Sequence, residues 1–318
     1  MVAFGASFGV CLAISTTVLP ETMDANKQKD TNAMTPPLIH VDLLIERYDT
    51  ILIDAYGVLV YQQDALPHAS EFIQHLNDTQ KSYFIVTNDA SRLPEQAAAS
   101  YKKRGLRAEL SPERIITSGS LLISYFAQHQ LQGANCVVLG PEGSHEYVRQ
   151  AGGVIVSPFE TDDVDVVAVC DDAGYPFLDT IEATLSMLFR RFDEGKKTHL
   201  LLPNPDLIYQ KDENNFGLAS GSIGVLLEQA FHLRYLHEEF QFVRLGKPHT
   251  PIFEVASQRA QTRNLVMIGD QLRTDIAGAN AYGIDSALIS TGLVQLQNQN
   301  LPPSWQPTYL LESLALHP

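Results

Sequence analysis

The chain has 318 residues, 45% hydrophobic and 19% charged, a composition that excludes a disordered or fibrous chain and suits a soluble globular protein of two ordinary domains or one large one with an insertion. Its 22 basic and 37 acidic residues leave a formal charge of -15. That surface repels phosphate backbones, so no nucleic-acid partner is expected, although a local basic pocket for a small anion is compatible with it. The three cysteines, Cys11, Cys136 and Cys170, form no C-x-x-C pair and lie near no metal-spaced histidines, so they read as ordinary thiols of a reducing compartment.

Residues 1–36 read as a disordered leader. The first twenty are uncharged and apolar or small, but they lack the basic start and the small-residue cleavage site of an export signal. Met23 is an alternative start, and the expected location is cytoplasmic, with an export signal in residues 1–20 left open. That stretch barely reaches a membrane span and is diluted by Gly and Ser, so no stable membrane association is expected.

Helical spacing over residues 38–48 precedes the apolar run Ile51-Leu52-Ile53, typical of a strand buried on both faces, which ends in Asp54-Ala55-Tyr56-Gly57. A helix is predicted over 69–77, then a strand over 83–86 ending in Thr87-Asn88, a helix over 95–104 and a short strand at Ile115-Ile116. This alternation marks a doubly wound parallel sheet of α/β type. A second strand-and-helix pattern follows, with strands at 136–139, 154–156, 164–169 and 200–202 and helices at 178–192 and 224–231. The first pattern resumes with Phe242-Val243-Arg244, a helix over 251–259, the strand 265–268, a helix over 275–282 closed by Gly283, and a last central strand at 286–289. The expected organisation is therefore a leader (1–36), a Rossmann-like core in two parts (37–118 and 240–318) and an inserted α/β cap (119–239).

In an open parallel sheet, ligands sit beyond the carboxyl ends of the strands. Asp54, Thr87 and Asp270 each follow a predicted strand closely, and Lys247 lies shortly after another. Singly, each suits a turn or helix cap. Four such positions in one chain are less easily dismissed.

Together, Asp54-Ala55-Tyr56-Gly57-Val58-Leu59, Thr87-Asn88, Gly246-Lys247-Pro248 and Gly269-Asp270 with Thr274-Asp275 resemble the four motifs of the haloacid dehalogenase-like (HAD) superfamily of hydrolases. The insertion, with Leu202-Pro203-Asn204-Pro205-Asp206 and Gly221-Ser222-Ile223, is similar to the class IIA caps of nitrophenyl-phosphatase and nucleotidase-like members. The resemblance covers about residues 40–296. It implies a Mg²⁺-dependent phosphatase of a small phosphorylated metabolite, working through an aspartyl-phosphate on Asp54. Under it, Asp54, Asp270, Asp275 and the backbone carbonyl of Tyr56 would hold the metal. Lys247 would offset charge, and the Thr87 hydroxyl and Asn88 amide would bind phosphoryl oxygens. Thr274 reads as the N-cap of the helix that follows. Asn204, Asp206 and Ser222 would line the substrate entrance or, equally, form a turn, whereas Asp171-Asp172 suits a surface turn and Arg92 a solvated helix start in preference to a phosphate-orienting role. Homo-oligomerisation is left open.

The departure is Tyr56. Phosphatases of this superfamily carry there a second Asp that protonates the leaving group, a role ill suited to a phenol of ordinary pKa near ~10. General acid–base catalysis is commonly worth about 10²–10⁴-fold. A phosphate-binding or regulatory protein with little turnover is therefore one alternative. Dehalogenation is another, because haloacid dehalogenases themselves read Asp-x-Tyr-Gly, attack carbon and need no metal. Against it stand the doubled carboxylates, Asp270 and Asp275, and the α/β cap.

Overall fold

The computed structural model of the protein describes residues 36–212, 214–236, 239–289 and 301–317. The predicted leader, with Cys11 and Met23, falls almost wholly outside them. Among the described residues no helix is long and apolar enough to cross a membrane.

Among the described residues seven parallel strands form the larger sheet, in the order Leu38–Ile39, Tyr309–Leu311, Asp285–Ile289, Leu265–Gly269, Thr50–Ile53, Ser82–Thr87, Ile115–Thr117. The chain runs outward from Thr50–Ile53 on one side and later returns to fill the other, beginning with Leu265–Gly269 against Thr50–Ile53. The strand order reverses at that pair, which opens a crevice beyond the carboxyl ends, where Asp54 and Asp270 lie.

Strand alternation divides the core. Ile51, Ile53, Ile85, Val266 and Ile268 face one layer, packed with Val41, Leu44, Phe72, Leu76 and Tyr101 of three helices. Leu52, Phe84, Val86, Leu265 and Met267 face the other, packed with Ile252, Phe253 and Ala279. Because both faces are covered, these strands are continuously apolar, the feature that made them visible in the sequence.

A second, five-stranded parallel sheet runs Val243–Arg244, His199–Leu202, Val166–Val169, Asn135–Leu139, Val154–Ile155. One face, with Val137, Leu139, Val167 and Leu202, packs on Ile181, Met187, Leu188, Leu227 and Phe231 of the helices Phe177–Asp193 and Ser220–Arg234. Val138, Ala168 and Leu201, on its other face, join the cluster that covers the larger sheet, through Leu121, Leu122, Phe126 and Tyr147. The helices Leu121–His129 and Glu142–Gln150 that carry those side chains were not singled out in the sequence.

Three expectations need correction. Phe242-Val243-Arg244 does not begin the return to the first sheet: Val243 and Arg244 pair with Leu201 and Leu202 of the second. A partly buried ion pair holds that edge, with Arg244 Nη2 2.8 Å from Glu228 Oε2. The strand at 286–289 has two more beyond it, Tyr309–Leu311 and Leu38–Ile39, each too short to leave a periodic signal. The helix predicted over 275–282 begins as a single π-turn, Leu272–Ile276, before the regular helix Ala277–Tyr282. Gly283 closes it at φ 83°, as its sequence position predicts.

Candidate active site

Ile51, Leu52 and Ile53 are fully buried, and the next residue, Asp54, is brought to the sheet edge with its N–H donating to Ile268 O at 2.9 Å. The chain must then turn sharply past Asp270. Gly57 adopts φ +92°, and a Cβ there would come within 2.2 Å of Asp270 Oδ2, so only glycine serves. Across the crevice, Asp270 follows the strand Leu265–Gly269 and Asp275 sits in the π-turn, a feature frequent at functional sites. Gln271 N–H donates to Asp275 Oδ2 at 3.1 Å. Gln271, not Thr274, is the residue that opens this turn, which corrects the expected cap.

Lys247 joins the two sides. Its Nζ lies 2.6 Å from Asp54 Oδ1 and 2.7 Å from Asp275 Oδ1, and all three side chains are buried. The lysine is held in place by Asn88: Lys247 N–H donates to Asn88 Oδ1 at 2.7 Å, and Asn88 Nδ2 donates to Lys247 O at 2.9 Å. The same Nδ2 donates to Asp206 Oδ1 at 3.0 Å. The Asn88 side chain is therefore a clamp on the lysine loop, and its carboxamide is occupied rather than offered to a phosphoryl oxygen. Nothing in the sequence signalled this pair, because its members lie 159 positions apart.

The charges do not balance. Asp54, Asp270 and Asp275 bring carboxylate oxygens within 4.8 Å of one another, against a single ammonium. Burial, then the neighbouring Asp275, push the Asp54 carboxyl up to about 7, while Lys247 pulls it down. Burial also pushes Asp270 well above the carboxylate range, reinforced by Asp54 and Asp275. Burial opposes the charge on Lys247, but Asp275 and Asp54 outweigh it and hold the ammonium protonated. Both oxygens of Asp270 are buried with no hydrogen-bond partner among the described residues. An orphaned carboxylate beside two more is costly unless a cation joins it, and an all-oxygen donor set suits a hard divalent ion.

Around this centre stand the other predicted residues. Thr87 ends the strand Ser82–Thr87 and is buried next to Asn88. Asn204 accepts the Asp206 N–H at 3.0 Å, so its side chain builds the turn, while the Asp206 carboxylate turns toward Asn88. Burial pushes Asp206 up to about 6, against the pull of Lys247 and the Asn88 hydrogen bond. Ser222 donates to Leu207 O at 2.5 Å and braces that loop. Asp171 forms the expected turn, accepting the Ala173 N–H at 3.1 Å.

Tyr56 packs against the larger sheet's own helical layer. Its ring stands edge-on to Tyr101 at 6.2 Å, with the Arg104 guanidinium over it at 5.6 Å. Its hydroxyl accepts from Arg92 Nη1 at 2.7 Å, and the same Arg92 atom lies 3.2 Å from Asp89. Arg92, partly exposed just before the helix Pro94–Lys103, thus also holds the Tyr56 hydroxyl.

A doubly wound core with a carboxylate–lysine cluster at its switch point, and a second α/β sheet inserted in the chain, defines an α/β hydrolase with a cap domain. Two family models match, one described as haloacid dehalogenase-like hydrolase over residues 51–153 and one as HAD-hydrolase-like over residues 244–316. An acid sugar phosphatase of Staphylococcus aureus is 27% identical over 277 residues, covering 85% of this chain and 98% of its own. A possible sugar phosphatase of the HAD superfamily from Cytophaga hutchinsonii superposes with TM-score 0.74 at 27% identity, covering 89% of this chain and 99% of its own. A glycerol phosphate phosphatase of Mycobacterium tuberculosis, solved with magnesium, superposes with TM-score 0.70 at 25% identity, over 85% of this chain and 76% of its own. The chain belongs to the haloacid dehalogenase-like hydrolases, in the class with an α/β cap.

Proposed function

We propose that the protein is a Mg²⁺-dependent phosphatase of a small phosphorylated metabolite, acting through an aspartyl-phosphate on Asp54. The observation that carries this reading is the buried Asp54–Lys247–Asp275 bridge beside an Asp270 whose two oxygens have no partner among the described residues. The names of its relatives, a sugar phosphatase and a glycerol phosphate phosphatase among them, point the same way.

In this reading Asp54 attacks phosphorus while Lys247, held 2.6 Å away, keeps it oriented and offsets part of the charge brought by the phosphoryl oxygens. Thr87, at the end of its strand, offers its hydroxyl to the phosphoryl group, and the Asn88 backbone N–H stands beside it. The Asn88 side chain acts indirectly, by fixing the lysine. Asp54, Asp270, Asp275 and the Tyr56 carbonyl are the groups that would hold Mg²⁺, which when bound supplies the positive charge that lets two anions meet. A carboxylate shell of this kind has no use in halide displacement. Discrimination among metabolites is assigned to the loop braced by Asn204 and Ser222, whose Asp206 reaches Asn88 at the site.

The test is hydrolysis of an aryl phosphate and a panel of sugar phosphates with and without a chelator, followed by acid quenching to trap phosphoenzyme. Turnover that requires Mg²⁺, with label on Asp54, is expected. Phosphate binding without turnover would instead leave the binding role, and halide release that survives chelation would leave the dehalogenase role.

A further inference from the structure

Breaking the bond to the leaving oxygen requires a proton unless that oxygen departs readily as an anion, and Tyr56 is poorly placed to give one. Its hydroxyl is engaged by Arg92 at 2.7 Å, and its ring is fixed between Tyr101 and Arg104. In-line displacement puts the leaving oxygen opposite the attacking Asp54, on the side away from the sheet edge. A proton donor on that side has to come from the segments that face the strand ends. The loop of residues 203–207, which follows the strand His199–Leu202 of the second sheet, reaches Asn88 beside the nucleophile's lysine and carries one ionisable side chain, Asp206.

We propose that Asp206 is the general acid and base of the reaction, taking the part that position 56 does not fill. This rests on the phosphatase reading and adds to it the missing proton donor. In the first step an Asp54 oxygen forms the new bond to phosphorus, the bond to the leaving oxygen breaks, and the Asp206 carboxyl gives its proton to that oxygen. In the second step the ionised Asp206 takes a proton from water as the water oxygen bonds to phosphorus. The bond to Asp54 then breaks, inorganic phosphate is released and both aspartates are restored.

The placement of Asp206 is rigid. Asn88 Nδ2 fixes its Oδ1 at 3.0 Å. Asn204 holds its N–H at 3.0 Å, and Ser220 Oγ donates to Asn204 O at 2.9 Å. Gly221 N–H donates to Asp206 O at 3.0 Å, and a Cβ on Gly221 would fall 2.3 Å from Pro205 O, so the start of helix Ser220–Arg234 presses directly on the loop. The same Asn88 side chain grips Lys247, so the nucleophile's lysine and the proton donor are set by one carboxamide. The charged groups that act on Asp206 are Lys247, which favours its ionised form, and Asp275, which opposes it. Burial outweighs the lysine and leaves the carboxyl at about 6, where both the acid and the base form are accessible near neutrality.

The experiment compares the parent with Asp206→Asn and Asp206→Glu, all with Mg²⁺, on a sugar phosphate and on p-nitrophenyl phosphate, and traps phosphoenzyme by acid quench. Asn can still accept from Asn88, so the loop contact survives, and thermal melting checks that the variant is folded. The expected result is a fall of about 10²–10⁴-fold in kcat on the sugar phosphate for Asp206→Asn. On p-nitrophenyl phosphate, whose leaving group needs no proton, phosphoenzyme should still form and then accumulate, because its hydrolysis lacks a base. Asp206→Glu should recover part of the rate. In the parent, kcat on the sugar phosphate should fall as pH rises through about 6, the acid form being lost there, and Asp206→Asn should lack that limb. A folded Asp206→Asn with parental kcat on both substrates, or with a changed KM alone, overturns the assignment. A parent that forms no phosphoenzyme overturns the phosphatase reading itself, and this one with it.

Discussion

Replacing Asp270 with Asn should make the metal-free protein more stable while abolishing its stabilisation by Mg²⁺. Asp270 contributes two buried oxygens without partners, and an unsatisfied buried group costs about 1–3 kcal/mol, more when charged. At the 4.8 Å limit of the cluster, like charges repel by on the order of 3 kcal/mol per pair at an effective dielectric constant near ~20. Asp270 meets two such neighbours, Asp54 and Asp275, and one opposing charge, Lys247, so roughly one repulsive pair is left over. Its raised pKa relieves part of this by protonation, which leaves a gain of about 1–3 kcal/mol for the neutral amide. At ~2–4 °C per kcal/mol, the melting temperature in chelator should rise by roughly 2–12 °C. In the parent, Mg²⁺ at about a hundred times its Kd should add ~2.7 kcal/mol, and in Asp270→Asn that increment should vanish. Thermal melting of both proteins, in chelator and across a Mg²⁺ titration, measures all four quantities. A variant less stable than the parent in chelator, yet shifted equally by Mg²⁺, would refute the argument that Asp270 is held for a cation.

Asp54→Asn should leave the fold intact and yield no acid-trapped phosphoenzyme, since the amide is isosteric but far less nucleophilic; label recovered from that variant would move the nucleophile elsewhere. Lys247→Met should lower stability by ~3–5 kcal/mol in urea titration, because it strands buried Asp54 and Asp275, and a loss under 1 kcal/mol, roughly the worth of a surface pair, would mean the bridge is not formed in solution. Tyr56→Phe removes the acceptor of Arg92 at a partly buried site and should cost ~1–2 kcal/mol in the same titration. For Asp206, the raised pKa means the folded state binds more protons than the unfolded between about 4 and about 6, so this group lowers stability as pH rises through that window. The stability of Asp206→Asn should lack that slope, and parallel pH–stability curves for parent and variant would contradict it.

How much of this was visible in the sequence depended on whether the signal was local. Strands buried on both faces announce themselves as apolar runs, so Ile51-Leu52-Ile53, Cys136-Val137-Val138-Leu139 and Leu265-Val266-Met267-Ile268 were placed correctly. Leu38–Ile39 and Tyr309–Leu311 were not, because two or three residues carry no period and their pairing joins opposite ends of the chain. Val243 and Arg244 went to the wrong sheet because an apolar run does not say which neighbour it will meet. At the site, the acidic and lysine positions were legible from strand ends and motif spacing. The Asn88 clamp, the Arg92 bond to Tyr56 and the turn toward Asn88 of Asp206 were not, since each is a long-range contact between polar side chains that suit loops equally well.

Those long-range contacts change what Tyr56 means. Read alone, a phenol at that position removes a proton donor and argues for a crippled enzyme. In the folded chain the loss is local to one wall, where Arg92, Tyr101 and Arg104 have absorbed the ring into packing. The loop of residues 203–207 carries a carboxyl that burial has already moved to about 6, fixed by the residue that also fixes Lys247. Proton transfer and charge neutralisation then share one hinge point, Asn88. Its removal should therefore damage both steps together rather than either one. For Asn88→Ala, the expected result is a fall in phosphoenzyme formation from p-nitrophenyl phosphate, through the loosened Lys247, combined with a larger fall on a sugar phosphate, through the loosened Asp206. A variant that slows only the sugar phosphate would leave Asn88 a support for Asp206 alone, and one that slows both equally would leave it a support for Lys247 alone.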